Sequence, residues 1–244
     1  MRKNNLYFYP EHLDHCSISS LQSFENCPLN FYLRYYHHIK FPDKPQMIFG
    51  SLFQELLNKK YAGESLRDAL DSMNEEDRKL STTLIRKAQD FKNIVSIDSP
   101  YVVDLGFGIP FKFVPDLVTE DDVVENKVTS GYYNQKMVAS QKQGTLYHVG
   151  MLKLTGKPRG LIYQIFNKVK KDIKVIELTK NQKDIDELYA WVDKTLIKVD
   201  KCHKTGSWDI GSHAFFDCDL GKSCPIKYGR ITNLESAEKF VYPF

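Results

Sequence analysis

The chain has 244 residues, 42% apolar and 27% charged, with a formal net charge of +3. This is globular composition for one large domain or a core with appendages; it excludes a disordered or fibrous chain, and its mildly basic balance admits a nucleic-acid partner without requiring one. No apolar run approaches the ~18 residues of a membrane span, the basic N-terminal stretch lacks a leader's apolar run, and the five cysteines are odd in number and uneven in spacing, which argues against a disulfide framework. The expectation is a cytoplasmic protein with no membrane partner.

In chain order, SISSLQSFENCPLNFYLRYYHH (17–38) carries apolar and aromatic residues near helical spacing, with Ser19 or Ser20 as a cap and a break expected near Asn26, before Pro28. FPDKPQ (41–46) reads as a linker, and IFGSLFQELLNKKYAG as a helix ended by Gly63. Residues 64–93 give a helical pair. Composition then changes: VDLGFGI, FKFVPDLV and DVVENKV read as strands, YYNQKMVASQKQGTLYHVGMLKL as helix, LIYQIFNKV and KVIELT as strands, and DIDELYAWVDKTLIKVDKCHK as a strongly periodic helix. The tail from 205 is loop-rich. The order predicts an α/β core with a mixed sheet flanked by helices. Three blocks are expected: an N-terminal helical region (1–95) acting as lid or DNA channel, a core (96–200) and a cysteine-containing tail (201–244) packing on the N-terminal region.

The stretch DLVTEDDVVENK (116–127) holds five acids and one lysine among its twelve residues. A hairpin turn at Glu120 and Asp121 sets Val118 opposite Val123, Leu117 opposite Val124 and Asp116 opposite Glu125. Directly opposed Cβ atoms lie ~4.5–5.5 Å apart, so two carboxylates there repel unless a positive charge sits between them. Strand alternation puts Lys127 on the Glu125 face and Asn126 on the other. Two readings follow from this stretch alone. One is a solvated charged hairpin with Lys127 as an ordinary ion-pair partner. The other is a hard-cation site for Mg²⁺ or Mn²⁺ held by Asp116 and Glu125, with the backbone carbonyl of Asn126 as a further ligand.

Three more blocks accompany the hairpin. FGSLFQELL (49–57) has the form G-x-x-x-Q-E, QKQGTLY places Gln143 and Tyr147 four apart on one helix face, and the N-terminal helix reads S-x-S-x-L-x-x-F-x-x-C-P-x-x-F-Y-L-R-Y. Together, and in this order from about residue 17 to 226, they resemble the RecB-like branch of the PD-(D/E)XK nucleases, which includes CRISPR-associated exonucleases and phage-encoded members. The resemblance implies the restriction-endonuclease-like fold and a metal-dependent deoxyribonuclease, an exonuclease serving recombination, repair or replication in a phage or CRISPR-adaptation setting, with a helicase or recombinase in trans. It implies catalytic roles for Asp116, Glu125, Lys127, Gln143 and Tyr147, with Gln143 and Tyr147 positioning Lys127 and the DNA backbone. It implies metal binding by Asp116 and Glu125, supported by Gln54 and Glu55. The family usually has a ligating histidine where this chain has Gln54, a departure that opens an alternative: a catalytically weakened nucleic-acid-binding module that keeps the nuclease fold.

Many relatives also hold a [4Fe–4S] cluster. Cys27-Pro28 matches its first cysteine and Cys218 and Cys224 its last two, while Phe215 stands where the remaining ligand falls; Cys202, His203 and His213 are substitutes. Buried free thiols or zinc are the other readings of these cysteines. Tyr132, Lys136 and Lys142, just past the hairpin, and Arg34 in the N-terminal helix are candidate contacts to single-stranded DNA or DNA ends.

Overall fold

The computed structural model describes residues 13–38 and 45–209. The chain divides into two compact units that do not follow the three linear blocks. Of the described residues, 13–38, 106–110 and 190–209 belong to the first and 45–105 and 111–189 to the second. The helix expected as part of an N-terminal region therefore belongs with the sheet, because its apolar face is built into the sheet's core.

In the first unit, α1 (Ile18–Asn26) starts in a capping box: Ser17 Oγ accepts from the Ser20 N–H at 3.0 Å, and Ser20 Oγ accepts from the Ser17 N–H at 2.9 Å. The cap is thus Ser17, two or three residues before the candidate serines, since only there does the side chain reach an orphan donor of the first turn. Pro28 opens α2 (Pro28–Phe31), where its missing N–H costs nothing, and a π-helical turn (Tyr32–Tyr36) follows. The aromatic stripe packs inward. Trp208 stacks on Tyr32 with ring centroids 4.7 Å apart and on Phe31 at 6.2 Å, and Phe24 meets Phe31 edge-on at 5.5 Å.

The second unit holds the sheet. α3 (Pro45–Ala62) ends at Gly63, whose φ of +71° is the left-handed conformation expected of a helix-ending glycine. The helical pair is α4 (Arg67–Asp71) and α5 (Glu75–Ile85), the latter capped by Asn74, which accepts from the Asp77 N–H. Then come β1 (Ile94–Ile97), β2 (Tyr101–Val103), β3 (Phe111–Phe113), β4 (Leu117–Thr119) and β5 (Asp122–Thr129). α6 (Gln135–Ala139) and α7 (Lys142–Thr155) carry the chain to β6 (Gly160–Asn167), β7 (Asp172–Leu178) and α8 (Gln182–Thr205), whose first residues close this unit.

Five strands form a mixed sheet in the order β1-β4-β5-β6-β7; β2 and β3 pair separately. β5 and β6 are parallel, so α6 and α7 form the crossover that parallel neighbours require. All other pairs are antiparallel. The β4–β5 hairpin has the register the turn dictates, Leu117 opposite Val124 and Val118 opposite Val123. VDLGFGI, read as a strand, is one only to Val103; Gly106 and Gly108 have φ of +84° and +78°, which no strand accommodates.

α3 buries Phe49, Phe53, Leu56, Leu57 and Tyr61 against Leu117, Val124, Ile162 and Phe166, so the even-numbered residues of β5 point to this helix. α7 covers the odd-numbered face. Its Gly150 lets Phe113 lie against the helix: a Cβ there would fall 2.5 and 2.6 Å from the ring edge. Phe113 in turn stacks on Tyr101 at 5.5 Å and touches Tyr147 at 5.7 Å, which leaves the ring no room to yield. Gly150→Ala is therefore expected to destabilise the fold by ~1–3 kcal/mol in urea unfolding, while Phe113→Leu introduced with it recovers part of that loss; a Gly150→Ala chain as stable as the parent contradicts this packing.

Candidate active site

Strand alternation places Glu125 and Lys127 side by side on the face of β5 that α7 covers. Glu125 is only 4% exposed, in the middle of the sheet. A carboxylate in such a place needs partners for both oxygens. Lys127 Nζ donates to Glu125 Oε1. The Tyr147 hydroxyl lies 2.7 Å from Glu125 Oε2, to which it donates, and 3.1 Å from the Val114 carbonyl.

The helix supplies the next layer. Gln143 stands one turn before Tyr147. Its Nε2 donates to the Tyr147 hydroxyl at 2.6 Å, and its Oε1 accepts from Lys127 Nζ at 3.4 Å. Gln143 thus closes a ring of side chains: Glu125 to Lys127 to Gln143 to Tyr147 and back to Glu125. The depth of the helix is set beneath it. Tyr163 is the β6 residue in register with Glu125, and a Cβ on Gly144 would fall 2.5 Å from its hydroxyl. Only glycine lets the first turn of α7 approach so closely, and that approach puts Gln143 over Lys127.

Asp116 sits at the head of β4, half-buried. Its Oδ2 accepts from the backbone N–H of Asn126 at 2.6 Å. Burial, and then the charge of Glu125, push its pKa well above the ordinary 3.8; the Asn126 N–H and Lys127 pull the other way without cancelling the rise. Burial works against the Lys127 ammonium, but Glu125 and Asp116 outweigh it and hold its pKa above normal. Burial together with the neighbouring Glu125 carboxylate raises Tyr147, which stays a phenol. At neutral pH the site therefore holds one ammonium, one phenol and, in Asp116, a carboxyl that resists taking a negative charge beside Glu125. Two hard-oxygen carboxylates under mutual repulsion fit a hard divalent cation. Among the described residues no three His, Cys, Asp or Glu side chains converge into a ready cation cage, so Asp116 and Glu125 would need neutral oxygens to complete a shell.

The other residues singled out in the sequence fall as follows. Asn126 turns its side chain to the α3 face, where its Oδ1 accepts from Gln164 Nε2 at 3.0 Å; Gln164 also donates to the Tyr61 hydroxyl at 2.7 Å and accepts from the Gln89 N–H at 2.8 Å. Gln54 is half-buried on α3 and bonded to Asn58, whereas Glu55 is exposed and makes no bond to this group. Tyr132 is 70% exposed just past β5, Lys136 is exposed on α6, and Lys142 opens α7. Arg34 belongs to the other unit, half-buried in the π-helical turn. In that unit Cys27 is buried and Cys202 half-buried, and burial pushes the Cys16 thiol up to about 12. Cys218, Cys224 and His213 lie outside the described residues. Sequence reasoning missed Asp98, Asn58, Tyr61 and Gln164. Apart from the Gln54–Asn58 pair, four residues apart on one helix, their side-chain bonds reach partners 38 to 103 residues away, which no short-range spacing marks.

The profile of the PD-(D/E)XK nuclease superfamily matches residues 15–228. No curated protein matches the chain significantly. Among solved structures, a Eubacterium rectale protein described as "Putative exonuclease" aligns with a TM-score of 0.64 at 15% identity, covering 100% of this chain and 96% of its own. At that identity the likeness shows the fold. The SSO0001 structure aligns with a TM-score of 0.45 at 13% identity over 90% of this chain and 89% of that one.

The raised pKa of Asp116 has a consequence for stability. The folded chain binds this proton more tightly than the unfolded chain does. Without metal, the fold is therefore most favoured by this group below the ordinary carboxylate pKa and loses that contribution as pH rises through the raised value. In thermal melts with EDTA, Asp116→Asn should melt above the parent at neutral pH, with the gap closing as pH falls. Mn²⁺ should raise the parent's melting temperature and leave the variant's unchanged. A variant that melts below the parent at neutral pH contradicts the assignment.

Proposed function

This chain belongs to the PD-(D/E)XK nuclease superfamily, and we propose that it is a divalent-metal-dependent deoxyribonuclease of the RecB-like branch, acting as an exonuclease on DNA ends. The observation that carries the reading is the closed ring of Glu125, Lys127, Gln143 and Tyr147 beside Asp116. A surface hairpin has no need to bury a carboxylate under a tyrosine, and the Q-x-x-x-Y pair that distinguishes the branch is the pair that closes the ring.

Mg²⁺ or Mn²⁺ would be held by Asp116, Glu125 and the carbonyl of Asn126, and would supply the Lewis acid that activates water and polarises the phosphodiester. The chain's own groups do the rest. Lys127, held as an ammonium, offers its charge to the phosphate as negative charge develops there, rather than taking a proton from water. Tyr147 holds Glu125 in place with a phenol that does not ionise, and Gln143 keeps Lys127 in line by accepting one of its hydrogen bonds. Tyr132 and Lys136 flank the exit of the catalytic strand, where an exposed ring can stack on an unpaired base and a lysine can meet a phosphate. That pairing favours a single-stranded end as the segment engaged.

The test is degradation of end-labelled linear DNA by the purified chain. Cleavage should require Mg²⁺ or Mn²⁺ and stop with EDTA. Asp116→Ala, Glu125→Gln and Lys127→Ala should each lower the rate by roughly 10²-fold or more, on the scale of removing one charge-stabilising group, while Tyr147→Phe, which keeps the ring and loses only the hydroxyl, should cost less. A folded chain that leaves DNA intact with either metal supports the competing reading, a binding module on the nuclease fold. Cleavage that survives Asp116→Ala overturns the assignment of the site.

A further inference from the structure

Three side chains of the second unit form a hydrogen-bonded line that ends beside Asp116. Gln54 Nε2 donates to Asn58 Oδ1 at 2.9 Å, one turn further along α3, and Asn58 Nδ2 donates to Asp98 Oδ2 at 3.3 Å. The Asp98 N–H donates to the Asp116 carbonyl at 3.0 Å, and the Asp98 charge is one of those acting on the Asp116 carboxyl. Gln54 is thus two hydrogen bonds from the residue joined to Asp116. Its Oε1 has no partner among the described residues.

The polarity of this line is fixed from one end. A carboxylate only accepts hydrogen bonds, so Asn58 must turn its NH₂ to Asp98. That leaves the Asn58 oxygen facing Gln54, and an amide oxygen also only accepts. Gln54 must then spend its NH₂ on Asn58, and its oxygen is left outward. Reversing any one amide puts two donors or two acceptors face to face. The negative charge of Asp98 therefore decides, across two neutral amides, which atom Gln54 presents.

We propose that Asp98 and Asn58 are positioning residues that hold the Gln54 amide with its oxygen, not its nitrogen, available as a neutral ligand for the divalent cation of Asp116 and Glu125. The proposal rests on the metal-dependent reading above and deepens it. An amide oxygen is a hard ligand of the kind Mg²⁺ and Mn²⁺ accept, whereas an amide NH₂ has no lone pair to give and would turn two positive hydrogens toward the cation. Glutamine alone offers either end. With the line in place it offers one. This supplies a neutral oxygen to a site whose two carboxylates already match the charge of a divalent ion.

The experiment is titration of Mn²⁺ against the full chain without DNA, followed by the electron paramagnetic resonance signal of free Mn²⁺, with melting curves to show that each variant is folded. Gln54→Ala and Asn58→Leu should each weaken Mn²⁺ binding roughly tenfold, the lower end of the range for residues that orient a metal ligand. The double variant should be no weaker than Gln54→Ala alone. In a Gln54→Glu background both ends of the side chain are oxygens and orientation no longer matters, so adding Asn58→Leu should cost nothing further. The proposal is overturned if Asn58→Leu has no effect in the parent, or the same effect in both backgrounds, since a role in the fold alone would act in either. Mn²⁺ binding that needs Asp116 but ignores Gln54→Ala sinks the proposal and leaves the nuclease reading standing. A parent chain that binds no Mn²⁺ removes both.

Discussion

A carboxylate buried in the middle of a sheet governs this structure. Glu125 is 4% exposed, and leaving such a group uncompensated costs about 3–5 kcal/mol. One partner, Lys127, comes free with the strand because it lies two residues on. The other cannot come from the strand, whose neighbouring side chains face away, so it has to descend from a helix. That requirement places Tyr147 over the strand, and Tyr147 places α7. Once α7 is placed, Gln143 falls one turn earlier, over Lys127, with no further choice to be made. The chemistry of the site is in this sense a by-product of satisfying one buried charge.

The opposite face of the same strand is held by different means. Asn126 looks toward α3, where Gln164, Tyr61 and the Gln89 backbone fix it through neutral hydrogen bonds. Its N–H meanwhile grips Asp116. β5 therefore carries an ionic arrangement on one side and an amide arrangement on the other, and the backbone between them links the two. Gln164 is fully buried, so the amide side is screened from water and its geometry is firm. The Asp116 carboxyl gains a fixed donor from this, which partly offsets its burial and the repulsion of Glu125.

The two periodicities made much of this legible in the sequence. Period two on the hairpin gave the pairs Leu117–Val124 and Val118–Val123, and a spacing of four put Gln143 and Tyr147 on one helix face. Other features have no local signature. β1 is four residues long and finds its partner more than twenty residues later. The bond between Tyr61 and Gln164 joins residues 103 apart. The strand expected through VDLGFGI ends at Val103 because two glycines take left-handed turns, and residues 106–110 join the first unit, where the Cys16 N–H donates to the Pro110 carbonyl. The two compact units cut across the linear blocks for a related reason. α3 lies early in the chain, but the apolar surface it needs comes from β4, β5 and β6.

The contact between Gly144 and Tyr163 acts as a spacer of fixed length. A hydroxyl occupies the volume that any larger residue at 144 would claim, so the two positions share one allotment of space: atoms added at one must be removed at the other. Substitution at this contact is then a matter of pairs rather than single residues. A larger residue at position 144 needs a compensating change on a strand nineteen residues away in the chain. The spacing between helix and strand is thus set by geometry alone.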